Sequence, residues 1–295
     1  MKRSIAIVLT SLTALPVLAN ELPEGLRYVD PDPQILSTIR SQLPERTAVN
    51  ASFLSPEYSP VLSLNQTAKV WVTGWDEGAG YRNSIMALTY GDGAFDGLTK
   101  SDIDTNRGGT VSMDELNAVA GVSADWLFPN FPMQGKGGQL KPGATVDLNG
   151  GSALEANTNI TFGLAQNAWT GSGINSGNQN GDRANFWGLD FLNPEASSDA
   201  ALGTFEDNSR HVAMLFSDES QNSVLMGFED LVRPWGDNDF NDAVFTVYST
   251  PEGAFAGSEI STAPVPGLGV MGFALVLMVA ARNTRGRKKL KLVRT

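Results

Sequence analysis

Three runs decide the fold class: His211-Val-Ala-Met-Leu-Phe216, Ser223-Val-Leu-Met-Gly-Phe228 and Ala243-Val-Phe-Thr-Val-Tyr248. Each is a short block of apolar and β-branched residues bounded by Ser, Asn, Asp or Gly, which is the pattern of strands separated by turns. Four runs upstream repeat it: Lys69-Val-Trp-Val-Thr73, Ser84-Ile-Met-Ala-Leu-Thr-Tyr90, Thr145-Val-Asp-Leu148 and Ile160-Thr-Phe-Gly-Leu164. Short strands with turn-rich connections predict an all-β domain, an antiparallel β-sandwich, over residues 66–250. Ahead of it, in 20–65, Asp32 and Pro33 precede Ile35, Leu36, Ile39 and Leu43. An N-cap, a proline at the first helical position and an apolar stripe at helical spacing predict a short helix on the domain edge. Residues 170–183 read as a long, mobile polar loop.

Composition narrows the chemistry. The 295 residues contain no Cys and one His. Without Cys there is no disulfide framework, zinc-thiolate site, iron–sulfur cluster or cysteine nucleophile. His211 alone excludes a multi-histidine metal site and leaves a single base for any Ser-His-Asp arrangement. The formal charge of −11 argues against a nucleic-acid partner, which needs basic surface.

The two ends read as targeting segments. Residues 1–19 carry Lys2 and Arg3, an apolar stretch from Ile5 to Leu18 and the small-residue end Val17-Leu18-Ala19, which is a signal-peptide pattern. Residues 251–264 are small and polar and read as a linker. The span 265–281 is uncharged, at the lower limit of the roughly 17–25 residues that cross a bilayer as a helix. Seven cations follow in 282–295, and a basic tail stays cytoplasmic, so the expected topology puts 20–264 outside. Pro264-Val-Pro-Gly267 with the apolar span and basic tail resembles bacterial C-terminal sorting tails of the Val-Pro-Glu-Pro kind, without the Glu. Setting aside both ends leaves 12 Lys plus Arg against all 32 acids, so the exported part carries about −20. Such a surface suits divalent cations as ligands, or simply solubility, and the location of the acids decides.

Two acidic constellations could supply the ligands. The first begins at Asp104. An EF-hand loop places oxygens at positions 1, 3, 5, 7, 9 and 12, Gly at 6 and a bidentate Glu at 12. Asp104 at position 1 puts Asn106 at 3, Gly109 at 6, the Thr110 carbonyl at 7, Val111 at the apolar position 8, Ser112 at 9 and Glu115 at 12. Gly108 at position 5 offers no side-chain oxygen. Ser112 and Glu115 also form a capping box for a helix through Leu116, Val119 and Ala120, so a capped helix without metal is the plainer alternative. The segment, about 97–125, reads as a single hand inserted in the β-domain, and a lone hand suits a structural role.

The second constellation joins two strands. Glu229, Asp230, Asp237, Asp239 and Asp242 share one connection with Asn241 and a single cation, Arg233. Such a cluster repels itself, and a hard cation taking roughly 6–8 oxygen ligands would neutralise it. Solvated acids making Asx turns are the alternative. On the metal reading, Trp235 and Phe240 anchor the loop to the core.

Trp75-Asp-Glu-Gly-Ala-Gly-Tyr-Arg-Asn83, Phe128-Pro-Asn-Phe131, Gly137-Gly-Gln-Leu140, Pro142-Gly143, the run from Ile160 to Trp169, and the closing Phe-Glu-Asp…Gly-Asp-Asn-Asp-Phe-Asn-Asp resemble the LruC-type domain-of-unknown-function family. The resemblance covers about 66–250 and implies a surface β-domain of bacteria, with calcium as a possible cofactor and no established reaction. The expected function is an exported, membrane-anchored, calcium-binding surface protein with a structural or adhesive role and no enzymatic activity. A polysaccharide or surface-matrix partner is the adhesive variant, with Trp169, Trp187 and Trp235 available to stack on sugars. A glycosidase using carboxylates such as Asp76, Glu77 or Asp190 is a third reading that no spacing selects.

Overall fold

A computed structural model describes residues 21–175, 183–206, 208–217 and 221–262. The signal-peptide pattern, the apolar span 265–281, the basic tail and residues 176–182 of the expected polar loop lie outside the described residues. Among the described residues no helix is long and apolar enough to cross a membrane.

In chain order the strands are β1 (Arg27–Tyr28), β2 (Leu62–Ser63), β3 (Lys69–Asp76), β4 (Ser84–Tyr90), β5 (Val122–Phe128), β6 (Ala144–Asp147), β7 (Asn159–Ala165), β8 (Asn185–Trp187), β9 (Val212–Phe216), β10 (Ser223–Phe228), β11 (Ala243–Thr250) and β12 (Ser261–Thr262). They form a seven-stranded sheet in the order β1-β6-β3-β11-β10-β9-β12 and a second sheet in the order β2-β7-β4-β5, with β8 on β7. Both are antiparallel apart from the short β12, which runs parallel to β9. The seven strands expected from sequence are present, and the architecture is β-sandwich-like. Five strands were not expected: β5, β8 and the two-residue β1, β2 and β12, the last inside the stretch 251–264 read as a linker. β5 carries Ser123 and Asp125 on its exposed side, which breaks the apolar run, and β8 has only three residues.

The sheets face each other over one core in which Val70, Val72, Phe128, Phe162, Phe228 and Phe245 are buried. Alternation explains it: one side of each strand meets the other sheet. The helix α1 (Pro33–Gln42) starts as predicted, with the Asp32 carboxylate accepting from the Gln34 amide at 2.7 Å. It lies on the outer face of the seven-stranded sheet instead of at an edge. Ile35, Ile39 and Leu43 pack there with Leu215, Leu225, Val244 and Phe240. Each such buried aliphatic side chain contributes about 1.5–3 kcal/mol.

The segment 97–125 is not a separate appendage, because its last residues enter β5. Helices α2 (Lys100–Ile103) and α3 (Met113–Asn117) are each little more than one turn. α3 stops before Val119 and Ala120, and Gly121, at φ +78°, turns the chain into β5. Phe95, Ile103, Val111 and Leu116 form a second core with Tyr90, Trp187 and Phe191. Polar ties reinforce it. Buried Lys100 donates to the carbonyls of Asn193 at 2.7 Å and Ala196 at 3.1 Å. Asn193, also buried, accepts from the Trp187 amide at 2.5 Å and donates to the carbonyls of Trp187 and Ser209 at 2.8 and 2.6 Å.

Asn193→Ala would leave those three backbone groups buried and unpaired. The expected loss is about 2–4 kcal/mol, read by urea unfolding in excess chelator. A change under about 0.5 kcal/mol, the range of an ordinary surface substitution, would contradict this role.

Candidate metal centre

The connection between β10 and β11 lies at one end of the sandwich, where both sheets contribute to its surroundings. The β3–β11 ladder sets up the approach. Val244 pairs with Asp76 and Phe245 with Gly74, so Trp75 is an extra residue, a β-bulge. A bulge shifts side-chain alternation by one. Asp76 is exposed and Glu77 is turned fully inside. The Gly78 amide then donates to the Asn241 carbonyl at 2.9 Å. A Cβ at Gly78 would run into the Asn241 side chain, which would have to shift to admit it.

Within the connection the acids are mostly inside. Glu229, Asp230, Asp239 and Asn241 are buried, Asp242 is half-buried and Asp237 is exposed. Glu229 accepts from the Asn238 amide at 2.8 Å and the Leu231 amide at 3.3 Å. Asp239 accepts from the Arg46 amide at 2.7 Å and the Asn241 amide at 3.2 Å. Asp230 accepts from Asn83 Nδ2 at 2.6 Å, while its own amide donates to the Asp242 carboxylate at 2.8 Å. Gln166 Nε2 donates to the Asp230 carbonyl at 2.7 Å. Asn83 and Gln166 belong to the second sheet's end, so Asp230 ties the two sheets together. Asn238 and Phe240 sit at φ +60° and +56°, in the left-handed region that a bulky side chain rarely enters. Burial of Phe240 in the outer core holds it there.

Among the described residues, two groups of three acids bring oxygens within 4.8 Å of one another. One is Glu229, Asp237 and Asp239; the other is Glu229, Asp230 and Asp242. Both could hold a metal ion, with Glu229 common to them. The electrostatics are those of negative charge without enough counter-charge. Burial, then the nearby Asp237 charge, pushes the Glu229 carboxyl up to about 7. Burial and the adjoining carboxylates also raise Asp242 and Asp230, and burial raises Asp239 despite its two amide donors. Arg233, the cation of the connection, is otherwise engaged. It donates to Asn238 Oδ1 at 2.7 Å and to the Arg210 carbonyl at 3.0 Å.

Two neighbours were not legible as site residues. His211 is fully buried, with Nδ1 3.0 Å from the Glu229 carbonyl and Nε2 3.0 Å from Glu195. Burial acts to raise the Glu195 carboxyl, but the His211 contact and backbone hydrogen bonds together outweigh it and hold the group below the usual range. Glu195 also accepts from the Arg233 amide at 2.8 Å, which positions the acidic connection from behind. Trp235 does not anchor the loop as expected. It is 83% exposed, while Gly236 beside it packs closely on the Glu229 carboxylate.

The loop from Asp104 is organised differently. The two Asp104 oxygens each accept a loop amide at 2.9 Å, from Gly108 and Gly109. Glu115 reaches back to the Asn106 amide at 3.1 Å and accepts from the Ser112 amide at 2.9 Å. These bonds outweigh burial and lower its carboxyl. The predicted residues Asp104, Asn106, Ser112 and Glu115 therefore surround one loop, but they do not form one of the three-acid groups. Thr110 and Val111 are fixed to β8: the Asn185 amide donates to Thr110 Oγ1 at 2.7 Å, and Trp187 Nε1 donates to the Val111 carbonyl at 2.9 Å.

The model of a domain of unknown function (DUF4114) matches residues 154–250, about a third of the chain. That stretch contains β7 to β11 and the whole acidic connection, and it excludes the Asp104 loop. Neither a curated protein nor a solved structure matches the chain significantly.

Proposed function

We propose that the protein is an exported, membrane-anchored surface protein whose β-domain is held in its working form by calcium, and that its role is structural or adhesive. The observation that supports this most is the buried carboxylate group of the β10–β11 connection. Keeping Glu229, Asp230 and Asp239 ionised inside a protein is costly unless a cation shares the site. Calcium suits the donor set, the hard carboxylate oxygens of Glu229, Asp230, Asp237, Asp239 and Asp242, with the amide oxygen of Asn241 proposed beside them. The Asp104 loop is the second proposed position, with Asn106, the Thr110 carbonyl, Ser112 and Glu115 as ligands. The residues quoted above for the LruC-type resemblance include this connection and favour the same surface setting.

A polysaccharide-binding reading is narrower than the sequence suggested. Trp169 and Trp187 are buried in the fold, so neither is available to stack on a sugar. Trp235 is exposed beside the acidic group and is the aromatic that favours this reading. The acids considered for hydrolysis are dispersed: Asp190 is paired with Arg210 at 2.6 Å, while Asp76 stands at the surface.

Calcium in millimolar excess is expected to raise the melting temperature of the full chain in mild detergent by roughly 10 °C over the same protein in chelator, from stabilisation of a few kcal/mol. Asp237→Asn with Asp239→Asn removes most of that gain, and Asp104→Ala with Glu115→Ala removes the part due to the other loop. Identical melting in calcium and chelator would sink the proposal.

The pH dependence has a definite sign. The folded Glu229 carboxyl lies near 7 against 4.5 for an ordinary Glu, so the folded state binds more protons between those values. In chelator, stability is therefore expected to fall as pH rises from about 4.5 to 7 through this group. Saturating calcium flattens or reverses that slope, since the cation takes the place of the protons. Scanning melting temperature against pH in both conditions checks it; a chelator curve that rises over this window would contradict it.

A further inference from the structure

A cavity of about 580 Å³ opens at the end of β4 away from Asn83 and the acidic connection. The length of the strand puts the two roughly 20 Å apart. Three adjacent strands in register supply one side of the cavity. Ser63 of β2 pairs with Asn159 of β7, which pairs with Tyr90 of β4, so the three side chains share one face of the sheet. Ser63 Oγ donates to Asn159 Oδ1 at 2.6 Å, and Asn159 Nδ2 donates to Asp92 Oδ1 at 2.9 Å. Tyr90 is only 6% exposed, its ring packed edge-on against Phe95 with centroids 5.0 Å apart. It lines the cavity with a hydroxyl that makes no hydrogen bond to any described residue. Burial, and then the Asp92 charge, keep that phenol protonated well above the usual tyrosine range.

Phe205 lines the same cavity and is exposed. The Arg210 guanidinium lies 5.2 Å from its ring centroid and is itself fixed, by Asp190 at 2.6 Å and the Ser55 carbonyl at 2.7 Å. The cation of the lining is therefore committed within the protein. The exposed charges of the lining are all acids: Glu57, Asp92 and Glu259. These features narrow the ligand. Acids without an available cation repel phosphate, sulfate and uronate groups. The Tyr90 O–H needs an acceptor, which an ammonium or guanidinium group does not offer. A sugar hydroxyl does both jobs, accepting from the phenol and donating to the Asp92 carboxylate. The C–H face of a sugar ring, slightly positive, suits the negative face of an aromatic ring.

We propose that this cavity binds a neutral sugar unit of a polysaccharide, with Tyr90, Asn159 and Asp92 bonding its hydroxyls and Phe205 stacking on its ring. The inference rests on the adhesive form of the role above, to which it gives a place and a ligand class, and it requires no calcium. It moves sugar recognition away from Trp235, which belongs to the acidic connection. The bonds among Ser63, Asn159 and Asp92 hold the polar row in position before a ligand arrives, which lowers the cost of binding.

A glycan array probed with the full chain in a sugar-free detergent, once in calcium and once in chelator, tests this. The array carries neutral glucans, mannans, galactans and xylans, with polygalacturonate and polylysine as charged controls. At least one neutral glycan is expected to bind in both conditions. Tyr90→Phe, which keeps the ring and its packing, weakens that binding about fivefold, the size of one lost hydrogen bond. Its melting curve stays that of wild type, because the hydroxyl removed has no partner in the fold. Phe205→Ala weakens binding about tenfold through lost stacking, and Trp235→Ala leaves it unchanged. Binding that depends on Trp235 and not on Tyr90 or Phe205 overturns the location. Cavity variants that weaken binding to polygalacturonate or polylysine, and to no neutral glycan, overturn the ligand class. If no neutral glycan binds while calcium still raises the melting temperature, the inference fails and the calcium centre stands. Glycan binding that follows these variants without any calcium effect on melting supports the inference and sinks the calcium centre.

Discussion

Asp230 reaches from the β10–β11 connection to Asn83 at the start of β4, and that 2.6 Å contact joins the two sheets at the end of the sandwich where the acids gather. Most of what surrounds it follows from having a carboxylate in that place. A neutral side chain there would ask nothing of its neighbours. A carboxylate needs donors, and Asn83, the amides of the connection and the second-sheet residue Gln166 are arranged to supply or flank them. The donors do not suffice for all the acids present, since Glu229, Asp239 and Asp242 are pressed into the same volume and each is raised by burial. The proposed calcium supplies the remaining positive charge.

The supporting structure is consistent with that demand. α1 and the residues after it cover the outer face, and the Arg46 amide closes on Asp239 from there. His211 and Glu195 brace the opposite side, fixing the Glu229 carbonyl and the Arg233 amide. Phe240 holds a left-handed backbone conformation that its burial maintains. Backbone strain of about 1–3 kcal/mol persists where surrounding contacts over-determine it, commonly at ligand sites. The Asp104 loop shares no ligand with this centre. It is connected to it mechanically, through β8, Asn193 and the residues that Lys100 gathers, which lead to Glu195 and His211.

The strands were legible in the sequence because each buried face writes itself as an apolar run. The acidic connection was legible because five acids crowd between two such runs. What escaped were features that depend on register and long-range placement. Nothing local marks the bulge at Trp75, yet it decides that Glu77 points inward and Asp76 outward. Asn83 stood inside the quoted 75–83 stretch, but its partner is 147 residues away. Trp235 was misread because a large aromatic in an acidic loop suggests an anchor, whereas Phe240 alone of the two is buried. In the Asp104 loop amides satisfy the carboxylates, a competition that spacing alone does not reveal.

The most direct measurement is an anomalous difference map from crystals of the protein grown with calcium. A peak with Glu229, Asp237 and Asp239 oxygens at about 2.3–2.6 Å is predicted, the distance range of calcium coordination. Ordered density for these side chains with no peak among them, at millimolar calcium and neutral pH, would contradict the account.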